Sequence, residues 1–204
     1  MEFHFSSRLF EDAINELSKL PGIGKRTATR LALHLLKQDE VNVVRLGESL
    51  IRMRKEMQQC KKCHNISESD LCNICSNPKR EKDTICIVED IRDVLAIENT
   101  GQFNGLYHVL GGLISPMNGI SPSDLNISTI AQRVVDEEIK EVIFALSATM
   151  EGDTTSFYIY KQLRNQPAKT STLSRGVAIG DEIEFADEVT LGRSIVNRQL
   201  YNGA

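Results

Sequence analysis

No run of apolar residues in this 204-residue chain approaches the length needed to cross a bilayer. The stretch from Met1 to Arg8 lacks an apolar segment followed by a small-residue cleavage site, so a secreted protein is not expected and a cytoplasmic one is. No internal repeat or low-complexity segment is present. Strong net charge is missing too. The balance of −4 argues mildly against nucleic acid as a partner, but its distribution argues the other way. Residues 1–82 hold 15 basic and 11 acidic residues, a balance of +4, and residues 83–204 hold 9 and 17, a balance of −8. A basic front joined to an acidic back places any DNA contact in the first part of the chain. Hydrophobic content of 41% and charged content of 25% are ordinary for a globular protein.

From Phe5 to Leu20 apolar residues recur at helical spacing, through Leu9, Phe10, Ala13, Ile14 and Leu17. Pro21 and Gly22 must break that helix. A second helix follows with Ala28, Leu31, Ala32 and Leu35 on its buried face, and a third begins near Val41 with Leu46, Leu50, Met53 and Met57 in register. Residues 77–83 read as a polar linker. Beyond it the pattern changes to strands at 84–88, 106–110 and 141–146, alternating with helices around 91–97, 130–139 and 154–164. Such alternation predicts a parallel sheet with helices on its faces.

Three groups of residues carry candidate chemistry. The segment Leu20-Pro21-Gly22-Ile23-Gly24 fits a helix-hairpin-helix turn. Gly22 and Gly24 let backbone N–H groups approach a phosphate at the positive end of the second helix, where Lys25, Arg26 and Arg30 add charge. Contacts of this kind read the backbone and carry no sequence information. The plainer alternative is a helical hairpin whose turn contains glycine. A P-loop is excluded, because Arg26 stands where Ser or Thr would hold magnesium and Lys19 where the leading glycine belongs.

Cys60 and Cys63, then Cys72 and Cys75, form two CxxC pairs separated by eight residues. Two such knuckles complete a closed tetrahedral Zn²⁺ site, structural and without an open position for catalysis. Two disulfides are the competing pairing, disfavoured in a reducing compartment. A thioredoxin-type site needs one CxxC, not two close together. His64 is expected at the surface and Cys86 in the core. Glu89 and Asp90 follow the first strand of the second half, and Glu151 and Asp153 follow the third. Glu89, Glu151 and Asp153 can converge on a divalent cation through hard oxygen ligands. Acids at strand ends are also commonly solvated, and at helix starts they complement the dipole, which is the simpler role for Asp90.

These segments, in this order and over nearly the whole chain, resemble the RecR family of bacterial recombination mediators. Leu20–Gly24 and the following helix look like its helix-hairpin-helix, and the four cysteines match its zinc motif. Val88–Leu95 and Tyr107–Gly112 look like its Toprim domain, and Glu182–Arg193 like a C-terminal segment sometimes likened to a Walker B strand. The resemblance implies an α+β multidomain chain: a helical region at 1–57, a zinc module with linker at 58–82, a Toprim domain at 83–172 and a C-terminal segment at 173–204. It further implies one structural Zn²⁺, a ring-shaped homotetramer that clamps DNA without cutting it, and partnership with RecO and in some bacteria RecF in loading RecA. Two departures stand out. Toprim enzymes carry an Asp-x-Asp pair after a strand, and Ala145–Met150 holds no acid. Ala178 and Asp181 replace a proline and a glycine common in the family. The enzyme alternative is a Mg²⁺-dependent Toprim nuclease or primase-like protein using Glu89, Glu151 and Asp153.

Overall fold

The computed structural model describes residues 7–174, 176, 177, 180 and 182–198; Phe5, Arg175, Ala178 and Asp181 lie outside them. The chain divides into two compact units, Met1–Met57 and Gln58–Ala204.

In the first unit, α1 spans Arg8–Ser18, with the Ser7 hydroxyl accepting from the Phe10 backbone N–H. It ends ahead of Pro21, whose ring disfavours helical geometry in the residue before it. After the turn, α2 runs over Lys25–Leu36. Ile14 of α1 packs on Ala28 and Ala32 of α2, with Phe10, Leu17 and Ile23 around them. The two alanines let the helix axes approach closely, and a larger residue at either would push the hairpin apart. The third helix, α3 at Glu40–Glu56, has no buried residue. Its apolar stripe of Leu46, Leu50 and Met53 is about half exposed. Spacing alone produces the helix and does not say what covers that stripe.

The second unit opens with a two-stranded antiparallel ribbon, β1 (Gln58–Gln59) and β2 (Ile66–Ser67), and a single-turn helix α4 (Asn73–Ser76). A four-stranded sheet follows in the order β4-β3-β5-β6, every pair parallel. Its strands are β3 (Thr84–Val88), β4 (Leu106–Val109), β5 (Glu141–Ala145) and β6 (Lys169–Thr172). The connecting helices are α5 (Ile91–Thr100), α6 (Ile130–Asp136) and α7 (Met150–Leu163). Alternation along β3 divides the core. Ile85 and Ile87 join Ile130, Val134, Ile159 and Leu163 of α6 and α7 on one face, while Cys86 and Val88 meet Val94 of α5 on the other. Cys86 is thus a core residue, and burial pushes its thiol up to about 12.

Four departures from the sequence expectations concern the elements and their connections. The strand β6 is not foreseen, since Lys169-Thr-Ser-Thr172 has no Val or Ile; as an edge strand it is held by pairing to β5 and by the Ser171 hydroxyl donating to Glu141 at 2.6 Å. Helix α7 begins four residues before the expected 154, because Thr149 caps it and Gly152 lies against Ser147, where a Cβ would collide with the carbonyl oxygen. Residues 182–193 hold a 3-10 turn (Ile183–Phe185) and helix α8 (Glu188–Val196), not a strand; Asp187 accepts from the Thr190 N–H and starts the helix. Finally, the expected linker is pinned. Arg80 makes two bonds to Glu98 at 2.6 and 3.2 Å, donates to the Gly105 carbonyl at 3.0 Å and lies 5.8 Å from the Tyr107 ring centre. Tyr107 donates to the same Glu98 carboxylate at 2.7 Å.

Two outcomes follow from this packing. Arg80→Ala leaves Glu98 and the Gly105 carbonyl without their partner, and urea denaturation should show a loss of about 2 kcal/mol. Arg80→Lys should recover little of it, because an ammonium cannot serve the two carboxylate oxygens and the carbonyl together. His108, fully buried in β4, has a pKa of about 3, driven below the ordinary 6.5 by burial. Between those values the unfolded chain binds the extra proton, so stability is full above pH 6.5 and falls as pH drops toward 3. His108→Gln should be less stable at neutral pH and show a flatter decline in this window.

Candidate nucleic-acid interface and metal centre

The hairpin turn is closed by the Ile23 N–H donating to the Leu20 carbonyl at 3.0 Å. Gly22 has φ +77°, a left-handed conformation that any side chain would strain. Gly24 is the N-cap of α2 at φ −80°, with no side-chain cap bond. Neither conformation nor crowding demands glycine at Gly24, since a Cβ there meets open space. What its glycine does is leave the first N–H groups of α2 uncovered and approachable. Lys25, Arg26 and Arg30 are all exposed, and none forms an ion pair with a described residue. No acid lies in the first turn of α2. An open helix N-terminus with unpaired cations beside it presents a concentration of positive potential to an anion.

Cys60, Cys63, Cys72 and Cys75 are all buried, and their sulfur atoms lie within 4.8 Å of one another. Tetrahedral zinc with Zn–S bonds of about 2.3 Å needs sulfurs roughly 3.8 Å apart; Cys63 and Cys72 are at 3.5 Å. All five cysteines are unbridged, so the two-disulfide pairing is not the one adopted. Backbone N–H groups point at the sulfurs, Cys72 at the Cys60 Sγ (3.3 Å) and Cys75 at the Cys72 Sγ (3.5 Å). Such bonds favour thiolate. The Cys63–Cys72 hydrogen bond drives the Cys63 thiol up and the Cys72 thiol down. The donor set fits zinc, and supports one structural ion.

The zinc module is seated on the sheet. The Val109 N–H of β4 donates to the Cys63 carbonyl at 2.9 Å. His64, expected at the surface, is instead half-buried, with φ 61° and its ring edge-on to His108 at 5.1 Å. His108 places Nε2 2.6 Å from the Asn126 carbonyl, so this nitrogen donates and Nδ1 accepts from Arg133 at 3.2 Å. Arg133, 6% exposed, also donates to the Tyr107 carbonyl (2.7 Å) and to Glu137 (2.9 Å). Sequence reasoning does not single out Arg133 or Arg80. Each stands without a motif around it, and only its partners reveal what it does.

The acids at the carboxyl edge of the sheet are placed differently from one another. Asp90 caps α5, accepting from the Arg92 N–H at 2.6 Å and pairing with the Arg92 side chain, which holds its carboxyl low. Its own N–H donates to Asp93 at 3.0 Å, completing a capping box. Glu89 is half-buried, and burial together with Asp93 and Asp90 raises its pKa. Glu151 and Asp153 sit in the first turn of α7. Among the described residues the four cysteines are the one group of three or more potential ligands gathered within reach of a metal ion, and Glu89, Glu151 and Asp153 are not brought together in that way.

This arrangement of parts matches known families along the chain. Residues 10–54 match the model described as RecR, helix-hairpin-helix, and 57–77 match that of the RecR four-cysteine zinc finger domain. Residues 83–174 match the Toprim domain, and 176–199 match RecR, C-terminal. A protein of Bacteroides thetaiotaomicron named Recombination protein RecR is 57% identical over 203 residues, covering 100% of this chain and 99% of its own length. The chain belongs to the RecR family. RecR proteins of the same name from Flavobacterium johnsoniae (58% identical over 95% of this chain and 94% of theirs) and Parabacteroides distasonis (52% over 99% and 97%) are similar throughout. Membership accounts for the hairpin, the cysteine knuckles and the Toprim sheet following one another along one chain. No helix among the described residues is long and apolar enough to cross a membrane.

Elemental analysis of the purified protein should return one zinc per chain. Chelation should lower the thermal midpoint by several degrees or more, because metal binding is folding energy in such modules. Cys72→Ser should lose the zinc, whereas Cys86→Ser, outside the four clustered sulfurs, should retain it.

Proposed function

We propose that this chain is a cytoplasmic DNA-binding recombination mediator that acts as a clamp and catalyses no reaction. The observation that carries the reading is the uncovered N-terminus of α2 at Gly24, flanked by the exposed Lys25, Arg26 and Arg30, which have no ion-pair partner among the described residues. A phosphate can accept from the free N–H groups while the cations neutralise its neighbours, and this requires no base contact. The names of the relatives, Recombination protein RecR, support recombinational repair as the setting.

Self-association, in this reading as a ring-shaped homotetramer, draws its support as association alone from the apolar surface of the first unit. Leu9, Leu36 and Val41 are each more than 60% exposed, and α3 buries nothing of its own. Patches of that kind mark contact surfaces. The acidic carboxyl edge around Glu89 and Asp90 suits a basic protein such as RecO, and in some bacteria RecF, in loading RecA on single strands. Mg²⁺-dependent cleavage through Glu89, Glu151 and Asp153 is not favoured, since Asp90 and Asp93 are engaged in capping and the three acids are not clustered.

Binding of the zinc-loaded protein to DNA, measured at two salt concentrations, tests the clamp. Affinity should fall steeply with salt, and Arg26→Glu/Arg30→Glu should lower it by about tenfold or more and reduce the salt slope by roughly two. Binding equal to wild type in that variant would make the hairpin a purely structural turn. Cleavage of the DNA in Mg²⁺, lost in Glu89→Gln, would establish the enzyme instead.

A further inference from the structure

The second half of the chain is acidic overall, yet residues 154–180 contain no Asp or Glu and hold four of its nine basic residues. Its residues 154–172 run through helix α7 to the edge strand β6 and hold Lys161, Arg164 and Lys169; Arg175, the fourth base, lies outside the described residues. Phe157, Tyr160, Lys161 and Arg164 recur at three-, one- and three-residue steps, which puts them on one stripe of α7, and all four are exposed. Phe157 is 57% and Tyr160 43% exposed, a large aromatic surface to leave in water. Lys161 holds its ammonium 4.7 Å from the Phe157 ring centre, so charge and ring are already presented together.

Two adjoining depressions flank this stripe. A cleft of about 270 Å³ is walled by Phe144, Phe157 and Tyr160 of β5 and α7, with the β6 residues Thr170 and Thr172. A polar groove of about 800 Å³ shares Ser156 and Thr172 with it and continues to Arg193 and Arg198 of the α8 region. Asp153 also lines that groove, the one acid along it. A flat apolar slot opening into a groove with hydroxyls and two arginines suits a ligand with alternating flat rings and anionic linkers. A free single strand has that alternation; in a duplex the ring faces are already stacked. Aromatic side chains beside a basic track take single strands without sequence preference, because every base offers a π-face.

We infer that the α7–β6 face, with Phe157 and Tyr160 as stacking platforms and Lys161, Arg164, Arg193 and Arg198 as the phosphate track, binds single-stranded nucleic acid. The inference rests on the DNA-binding reading above and adds a second contact, distinct from the hairpin and selective for single strands. The hairpin meets a backbone and the α7–β6 face meets bases.

Fluorescence anisotropy of the full-length zinc-loaded protein tests this, using a labelled oligothymidylate, an abasic oligonucleotide of equal length, and a duplex. Phe157→Ala/Tyr160→Ala truncates two half-exposed rings outside the fully buried core, so the variant should stay folded at the assay temperature, as its circular dichroism checks. Its affinity for the oligothymidylate should drop about fivefold or more for each ring, with affinity for the abasic strand and the duplex unchanged. Lys161→Glu/Arg164→Glu should weaken the oligothymidylate and the abasic strand alike. An equal loss on duplex and single strand, no loss at all, or a changed sedimentation mass in the ring variant would each overturn the assignment. So would displacement of no oligonucleotide but tight binding of an acidic aromatic peptide, which would make this face a protein-docking site. The Arg26→Glu/Arg30→Glu variant separates the two readings. If it binds every DNA as wild type does while the ring variant loses the oligothymidylate, the hairpin reading fails and this one stands.

Discussion

Four cysteine sulfurs lie buried within 4.8 Å of one another at one edge of the sheet-bearing unit, and that proximity is tolerable as thiolates only around a cation. Apolar residues are sparse in this stretch, so the knuckles have little hydrophobic burial of their own to close on. The metal supplies what a small core would otherwise provide. The consequence reaches past the knuckles, because the Cys63 carbonyl receives the Val109 N–H of β4 and His64 stands against His108. An edge strand that would otherwise present unpaired backbone is thereby covered on the zinc side.

From β4 the constraint passes inward through charge as well as through apolar contact. Arg133 touches the Tyr107 carbonyl, His108 and Glu137, and Arg80 ties Glu98, the Gly105 carbonyl and the Tyr107 ring together. Each is an arginine serving several acceptors at fixed angles, a geometry that lysine does not reproduce. Between them the segment after the cysteines and the two ends of β4 are held in place. The carboxyl edge of the sheet, where Glu89 and the start of α7 lie, rests on this frame.

The hairpin works by an opposite strategy. Its core is three buried residues, Ile14, Ala28 and Ala32, and its functional surface is defined by what is missing: no side chain at Gly24, no acid in the first turn of α2, no ion-pair partner among the described residues for the cations of α2. The stretch at 154–180 likewise stands out for its lack of acids. In a chain with a net charge of −4, removing acids from a surface is as effective as adding bases to it.

Much of this is legible in the residues alone, wherever chemistry is local. The CxxC spacing specifies a tetrahedral site, Pro21 and Gly22 specify a break, and alternating strand and helix periods specify a parallel sheet, because each depends on neighbours a few positions away. The remainder is not. Polar β6 becomes a strand only through β5, His64 leaves the surface only because His108 lies beneath it, and the C-terminal segment becomes helical through its Asp187 cap where resemblance had suggested a strand. Arg80 and Arg133 have no motif at all, since apart from the Arg133–Glu137 pair the hydrogen-bond partners of their side chains lie 18 to 26 residues away along the chain. The sequence by itself determined the metal ligands, the turn and the order of the core elements. Only the tertiary structure decided which charges are buried, which acids serve as caps and which aromatic faces stay open, because those depend on what is brought alongside from distant parts of the chain.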